Sequence, residues 1–210
     1  MVLQSIAVAG EEKTGLYGLK EGMTVEQVEK VLGRKVIAAD GEPCMYVCRP
    51  VAINFFSGVR RRTHVMGVYI HPKLGLFKID EFEPRLKAGD SDDATYLTEV
   101  YVRLVVVWGT MAVDDCYQVI TSPAKWEAID SEFGTVHTSW LSKDHEKSLK
   151  GKPLADKLSD KVQKAGLSLV KLLISADPTT GQVVVVTEHW FPNGDAAEAL
   201  IAEEAKNKEK

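Results

Sequence analysis

The segment "LSLVKLLISADPTTGQVVVVTEHWF", Leu167 to Phe191, decides the fold class. Its two halves are runs of aliphatic and β-branched side chains, which pack well on a pleated surface and lose little freedom there. Between them, "DPTTG" supplies a proline that presets one turn dihedral and a glycine free to take positive φ. Such a pair of runs predicts an antiparallel hairpin. Downstream, "GDAAEALIAEEAKNKEK" predicts a C-terminal helix from Asp195, with Glu198 as its capping-box partner and a charged, fraying end. Upstream, "KPLADKLSDKVQKAG" places Leu154, Leu158 and Val162 on one helical face and ends at Gly166. Before it, "TSPAKWEAIDSEFG" has Ser122 as N-cap, Pro123 at the first helical position, a Trp126–Ile129–Phe133 stripe and a closing Gly134.

The N-terminal half has the same texture. In "GLKEGMTVEQVEKVLGRKV", Gly18 to Val36, Thr24 is an N-cap and Gln27 its capping-box partner. Val25, Val28, Val31 and Leu32 form a one-sided stripe, and Gly33 offers the left-handed residue that ends the helix. Then "KVIAA", "CMYVCRPVAINFF" and "THVMGVYIHP" read as strands separated by "DGEP" and "SGVRRR". Gly22, Met23, Thr24, Val28, Leu32 and Gly33 give the pattern G-M-[ST]-x-x-x-V-x-x-x-L-G. With it, residues 18–71 resemble the helix-plus-meander unit of small outer-membrane assembly lipoproteins of the BamE (SmpA/OmlA) type and of β-lactamase-inhibitor-like folds. The resemblance implies a layout, helices on one face of an antiparallel sheet and a second face open to partners, and no reaction. The lipoproteins' lipidated N-terminal cysteine has no counterpart in the sequence.

"KLGLFKIDEFEPRLKAGDSDDATYL" changes texture. Gly75, Pro84, Gly89 and a run of acids predict an acidic connection over 80–95, between an N-terminal half (1–79) and a C-terminal half (96–210) that can share one domain. Beyond it, "YLTEVYVRLVVVWGTMAV" alternates and then turns wholly apolar, which predicts a long central strand. "TVHTSW" after Gly134 echoes the first half and leaves a diverged internal duplication open. The expected class is α+β: an antiparallel sheet of meanders and hairpins, short helices packed on one face, and a C-terminal helix.

With 210 residues, 45% of them apolar, the chain can build a core without staples. A net charge of −4 gives no general field favouring nucleic acid or an anionic membrane. No apolar run approaches the roughly 18 residues of a membrane span, and "MVLQSIAVAGEEKTG" does not read as a secretory signal. An odd set of three cysteines, Cys44, Cys48 and Cys116, fits a reducing compartment, so the expected location is cytoplasmic.

Chemical motifs are weak. Cys44 and Cys48 on one strand would stand about 13 Å apart, too far to share a zinc ion with His64 or His71. Cys116 has no neighbouring signature that lowers a thiol pKa in the service of His137, His145 or His189. His137 and His145 have neither helical nor strand spacing for a metal pair. Asp114 and Asp115 suit a turn, and adjacent carboxylates on an extended chain point opposite ways. "RRRTH", Arg60 to His64, lacks an aromatic platform beside it. No phosphate loop is present, and the sequence calls for no metal or other cofactor.

In size, mild acidity and α+β texture the chain resembles bacterial toxin-immunity proteins. The resemblance implies a non-enzymatic protein-binding module that neutralises a toxin by direct contact. Asp80, Glu81, Glu83, Asp90, Asp92 and Asp93 would then be the partner-binding surface, steering a basic protein. Two alternatives stand beside it. One is an enzyme whose site assembles from Asp114, Asp115, Cys116 and His189. The other is a self-assembling structural or phage-type subunit that pairs through the strand at 96–108.

Overall fold

The computed structural model describes residues 16–51, 64–83, 85–87, 90–109, 111–114, 116–117, 120, 135–141, 159–177, 180 and 182–208. Their core is one nine-stranded antiparallel sheet. The strands are β1 (Ile37–Ala38), β2 (Met45–Val51), β3 (His64–His71), β4 (Gly75–Phe82), β5 (Leu86–Lys87), β6 (Val113–Asp114), β7 (Thr135–Leu141), β8 (Leu169–Asp177) and β9 (Gln182–Trp190). Their spatial order is β1-β2-β3-β4-β9-β8-β7-β6, with β5 also pairing β9. The expected hairpin is β8–β9, paired without interruption from Leu169–Trp190 to Asp177–Gln182. Because β9 also pairs β4, the hairpin welds the two halves of the chain into a single sheet.

Helix α1 (Val25–Leu32) has the caps expected of it, but of its stripe only Val28 is buried, Val25 and Leu32 are half-buried and Val31 is exposed. Gln27 N–H donates to Thr24 Oγ1 at 3.4 Å, Gln27 Oε1 accepts from Thr24 N–H at 2.9 Å, and Gly33 closes the helix at φ 66°. Helix α2 spans Ser91–Trp108, and of the helix expected over 153–165 the part described is α3 (Asp160–Lys164). The C-terminal helix, α4 (Gly194–Lys208), begins one residue before the expected start. The helix expected after Ser122 lies outside the described residues, as do Arg60 to Thr63 of "RRRTH".

Two expectations are overturned. The segment 96–108 is no strand but most of the 18-residue helix α2. Its valines and threonines favour strands locally, but its buried residues, Tyr96, Leu97, Val100, Tyr101, Leu104 and Trp108, recur at helical intervals. Packing of that stripe outweighs a propensity difference of a few tenths of a kcal/mol per residue. The edge-pairing strand expected at 96–108 therefore does not exist; the ends of the sheet are β1 and β6.

The acidic connection over 80–95 is also absent as such. Asp80 and Glu81 lie on the central strand β4 and Glu83 directly follows it, all three buried. Asp90 is the N-cap of α2, accepting from the Asp92 and Asp93 amides at 2.9 and 3.1 Å. Asp92 and Asp93 occupy the first turn, where the helix dipole favours carboxylates, and Asp93 also accepts from Lys87 N–H at 2.7 Å.

Alternation sorts the strand side chains. One face carries Cys48, Met66, Val68, Ile79, Val170, Leu172, Ile174, Val183, Val185 and Trp140, and these pack with Val28 of α1, the buried stripe of α2 and Val162 of α3. The C-terminal carbonyls of α2 are satisfied from neighbours: Lys161 Nζ donates to Val106 O at 2.9 Å, Trp140 Nε1 to Gly109 O at 3.0 Å, and Ser159 Oγ to Trp108 O. The opposite face receives α4. At the entry to β4, Gly75 sits at φ 71° with Gly22 pressed against it; a Cβ there would lie 2.1 Å from Gly22 O. That approach lets Gly22 and Met23 exchange backbone bonds with Leu76.

Candidate functional site

The polar geometry centres on β4, whose "KIDEFE" looks like a loop and is instead the middle of the sheet. On the α4 side, Lys78 Nζ lies 3.1 Å from Asp80 Oδ2 and 3.5 Å from Glu188 Oε1. The same ammonium stands 3.9 Å from the centroid of the Tyr69 ring and 4.9 Å from that of Trp190. Cross-strand register builds this box, since Lys78 faces Tyr69 on one side and Trp190 on the other, and Asp80 faces Glu188. Trp190 Nε1 donates to Glu188 Oε2 at 3.1 Å. Aromatic faces and two carboxylates hold a buried cation that would be costly alone. Asp80 is nevertheless pushed up from 3.8 to about 6, first by burial and then by Glu188, against the pull of Lys78 and the Tyr69 hydroxyl. Tyr69 is raised as well, by burial and by Asp80.

This box opens into a groove of about 470 Å³ between sheet and helix. Tyr69, Phe77 and Lys78 form its floor, Ile201, Ala202 and Ala205 its helical wall, and Glu42 and Glu198 its acidic rim. The helical wall is anchored at both ends. Asn193 Nδ2 donates to the Leu74 and Leu76 carbonyls at 3.2 Å each, Phe191 N–H donates to Phe77 O at 3.0 Å, and Gly194 packs where a Cβ would meet the Trp190 ring at 2.8 Å. At the far end, Glu204 lies 3.6 Å from Lys73 Nζ and 3.9 Å from the buried His71 Nε2. The groove is therefore a concavity with two aromatic rings and the engaged Lys78 as floor, an aliphatic wall and an acidic margin.

Under α2, on the other face, lies a second polar group. Tyr17, held at a left-handed φ of 57° that bulky residues rarely adopt, donates its hydroxyl to Glu81 Oε1 at 2.5 Å. Glu83 accepts from the Tyr96 hydroxyl and from Arg103 Nη2 at 3.3 Å. His189 lies against the Trp108 ring at 6.0 Å between centroids, and burial lowers its pKa against the opposing pull of Glu81. Both buried carboxylates here have a donor or a counter-charge, which is how a core tolerates them.

Of the residues expected to assemble an enzyme site, Asp114 and Cys116 lie near the same Tyr101 hydroxyl, whereas His189 stands apart against Trp108. Asp114 accepts from the Tyr101 hydroxyl at 2.6 Å, Thr138 Oγ1 at 2.8 Å and Tyr117 N–H at 3.2 Å. Cys116 is fully buried, its Sγ 3.9 Å from Leu172 O. His189 stands against Trp108, while Asp115 and His145 lie outside the described residues, as does the side chain of His137. Cys44 precedes β2 in a turn at φ 62°, so it does not share a strand with the buried Cys48 as expected. Among the described residues, no group of His, Cys, Asp and Glu has the arrangement of a metal site, and no helix is long and apolar enough to cross a membrane.

Of the acids expected at a binding surface, Asp90 and Asp92 are exposed, whereas Asp80, Glu81 and Glu83 are inside. The groove itself is not legible in the sequence, because its members come from distant parts of the chain. Its one local signal is Lys78, a charge set among Leu76, Phe77 and Ile79. Comparison with models of protein families, with curated proteins and with solved structures finds no match.

Proposed function

We propose that the chain is a non-enzymatic protein-binding module that takes a basic, partly apolar segment of its partner into the groove beneath α4. The carrying observation is the combination of aromatic rings on the floor and an aliphatic helical wall with Glu42 and Glu198 at the rim. Lys78, the one cation among the described residues lining the groove, is already engaged by two carboxylates and two rings. Negative charge over apolar surface is what remains, and it complements Lys or Arg side chains spaced between aliphatic ones. In its most concrete form the module is a cytoplasmic bacterial immunity-type protein that covers a basic toxin. The mild net acidity of the chain supports that reading by favouring encounter with a basic protein.

The test uses a fluorescein-labelled peptide of alternating lysine and leucine, and a glutamate–leucine peptide of equal length as control. Anisotropy titration should show binding of the first alone, weakening as salt rises. The double variant Glu42→Lys/Glu198→Lys should lose about tenfold or more in affinity, since two attractive contacts become repulsive. Equal affinity of both peptides, or an unchanged affinity in the double variant, would remove the groove from the account.

A further inference from the structure

The outward face of α2 bears a strip of small β-branched side chains. Thr95, Thr98, Val102 and Val106 succeed one another at helical spacing, all exposed, with the half-buried Glu99 and Arg103 along one flank and the exposed Val107 beyond them. Val102, Val106 and Val107 are 51%, 69% and 45% exposed, a concentration of bare aliphatic surface on a helix that is otherwise well packed. The two threonines extend this strip. Thr95 Oγ1 donates to Ser91 O at 2.9 Å and Thr98 Oγ1 to Ala94 O at 3.0 Å. With each hydroxyl turned back onto its own helix, the methyl groups are what face outward. The result is a strip about 16 Å long, counted at 1.5 Å per residue from Thr95 to Val106. Such small groups cost helix propensity and allow close approach of a second helix.

The ends of the strip differ in charge. Asp90, Asp92 and Asp93 crowd the N-terminal end. At the C-terminal end Lys161 of α3 bonds Val106 O through Nζ, and Lys164, three residues on and so on the same side of α3, adds a second positive charge against the single Asp160 that opens that helix. A strip that is apolar in the middle, acidic at one end and basic at the other is complementary to itself when turned end for end. Antiparallel packing of two copies sets acids against lysines at both ends and also opposes the two helix dipoles favourably. We propose that the chain forms a two-fold symmetric dimer through the outer strip of α2, antiparallel to the same strip of a second copy. The groove under α4 lies on the other face of the sheet, so each dimer presents two open grooves.

Sedimentation velocity of the full chain over a concentration series tests this. The wild type is expected to shift from monomer to dimer, whereas Val106→Glu remains monomeric with an unchanged circular dichroism spectrum and urea midpoint. A charge swap tests the orientation. Asp92→Lys and Lys164→Glu should each weaken self-association roughly tenfold, and an equimolar mixture should associate as well as the wild type, because only the mixed dimer restores attraction at both ends. A monomer at every concentration, a Val106→Glu protein that dimerises like the wild type, or a mixture no better than its components would overturn the proposal.

Discussion

Replacing Asp80 by asparagine should flatten one part of the stability–pH curve by a calculable amount. Its carboxyl titrates at about 6 in the fold against 3.8 in the open chain, with burial as the main cause. Below the lower value both states are protonated, and above the higher value both are ionised. Between them the folded state binds the extra proton, so stability falls as pH rises through the window. A difference of about 2 pH units at about 1.4 kcal/mol each gives roughly 3 kcal/mol of stability present near pH 4 and lost by pH 7. A side-chain amide has no proton to exchange, so the variant should gain about 3 kcal/mol on the wild type between those two pH values, whatever its stability at either one. This double difference also cancels His189, which acts with the opposite sign. Its folded pKa is depressed by burial, so its contribution is full above 6.5 and lost as pH falls below that value. Urea unfolding followed by tryptophan fluorescence at a series of pH values provides the measurement. Parallel curves for the wild type and Asp80→Asn would refute the placement of Asp80 as a buried carboxyl only partly compensated by Lys78.

Removing one partner beneath α2 should cost more than removing both. Arg103→Met removes the counter-charge of the buried Glu83 and leaves it only hydrogen-bond donors such as the Tyr96 hydroxyl, for an expected loss of about 3 kcal/mol by urea unfolding, whereas Glu83→Gln/Arg103→Met recovers at least half of it. Gly75→Ala drives a Cβ into the Gly22 backbone and denies the left-handed φ, for a loss of about 3 kcal/mol in the same assay. Thr24→Ala removes the N-cap of α1 for about 1 kcal/mol, and faster amide exchange should be confined to that helix and its neighbours.

The legible parts of the sequence are those that local chemistry controls. The capping box at Thr24 and Gln27, the stop at Gly33 and the β8–β9 hairpin all depend on neighbours in the chain, and all stand where their residues place them. The misreadings share one cause, which is that distant partners reverse the local preference. The valines and threonines of α2 favour a strand in isolation, and only the sheet surface under Leu97, Val100 and Leu104 makes the helical solution better. A sequence signal for it does exist in Asp90 followed by Asp92 and Asp93, an N-cap with an acidic first turn. The charges of β4 disguise a central strand as a loop. They tolerate burial because Tyr69 on the adjoining strand, together with Tyr17, Arg103 and Glu188 from further along the chain, supplies the opposite charges, rings and hydroxyls. A groove walled by α4 and floored by β3 and β4 depends on packing that no local pattern encodes.

The groove beneath α4 is proposed to hold a basic segment of a partner. Backbone and side-chain NMR of the full chain, titrated with the lysine–leucine peptide, addresses it directly. Shift changes are expected to concentrate at Tyr69, Phe77, Ile201, Ala202 and Ala205, to saturate together and to be absent in Glu42→Lys/Glu198→Lys. Changes that saturate on the face of α2 instead, or that persist unchanged in the double variant, would contradict it.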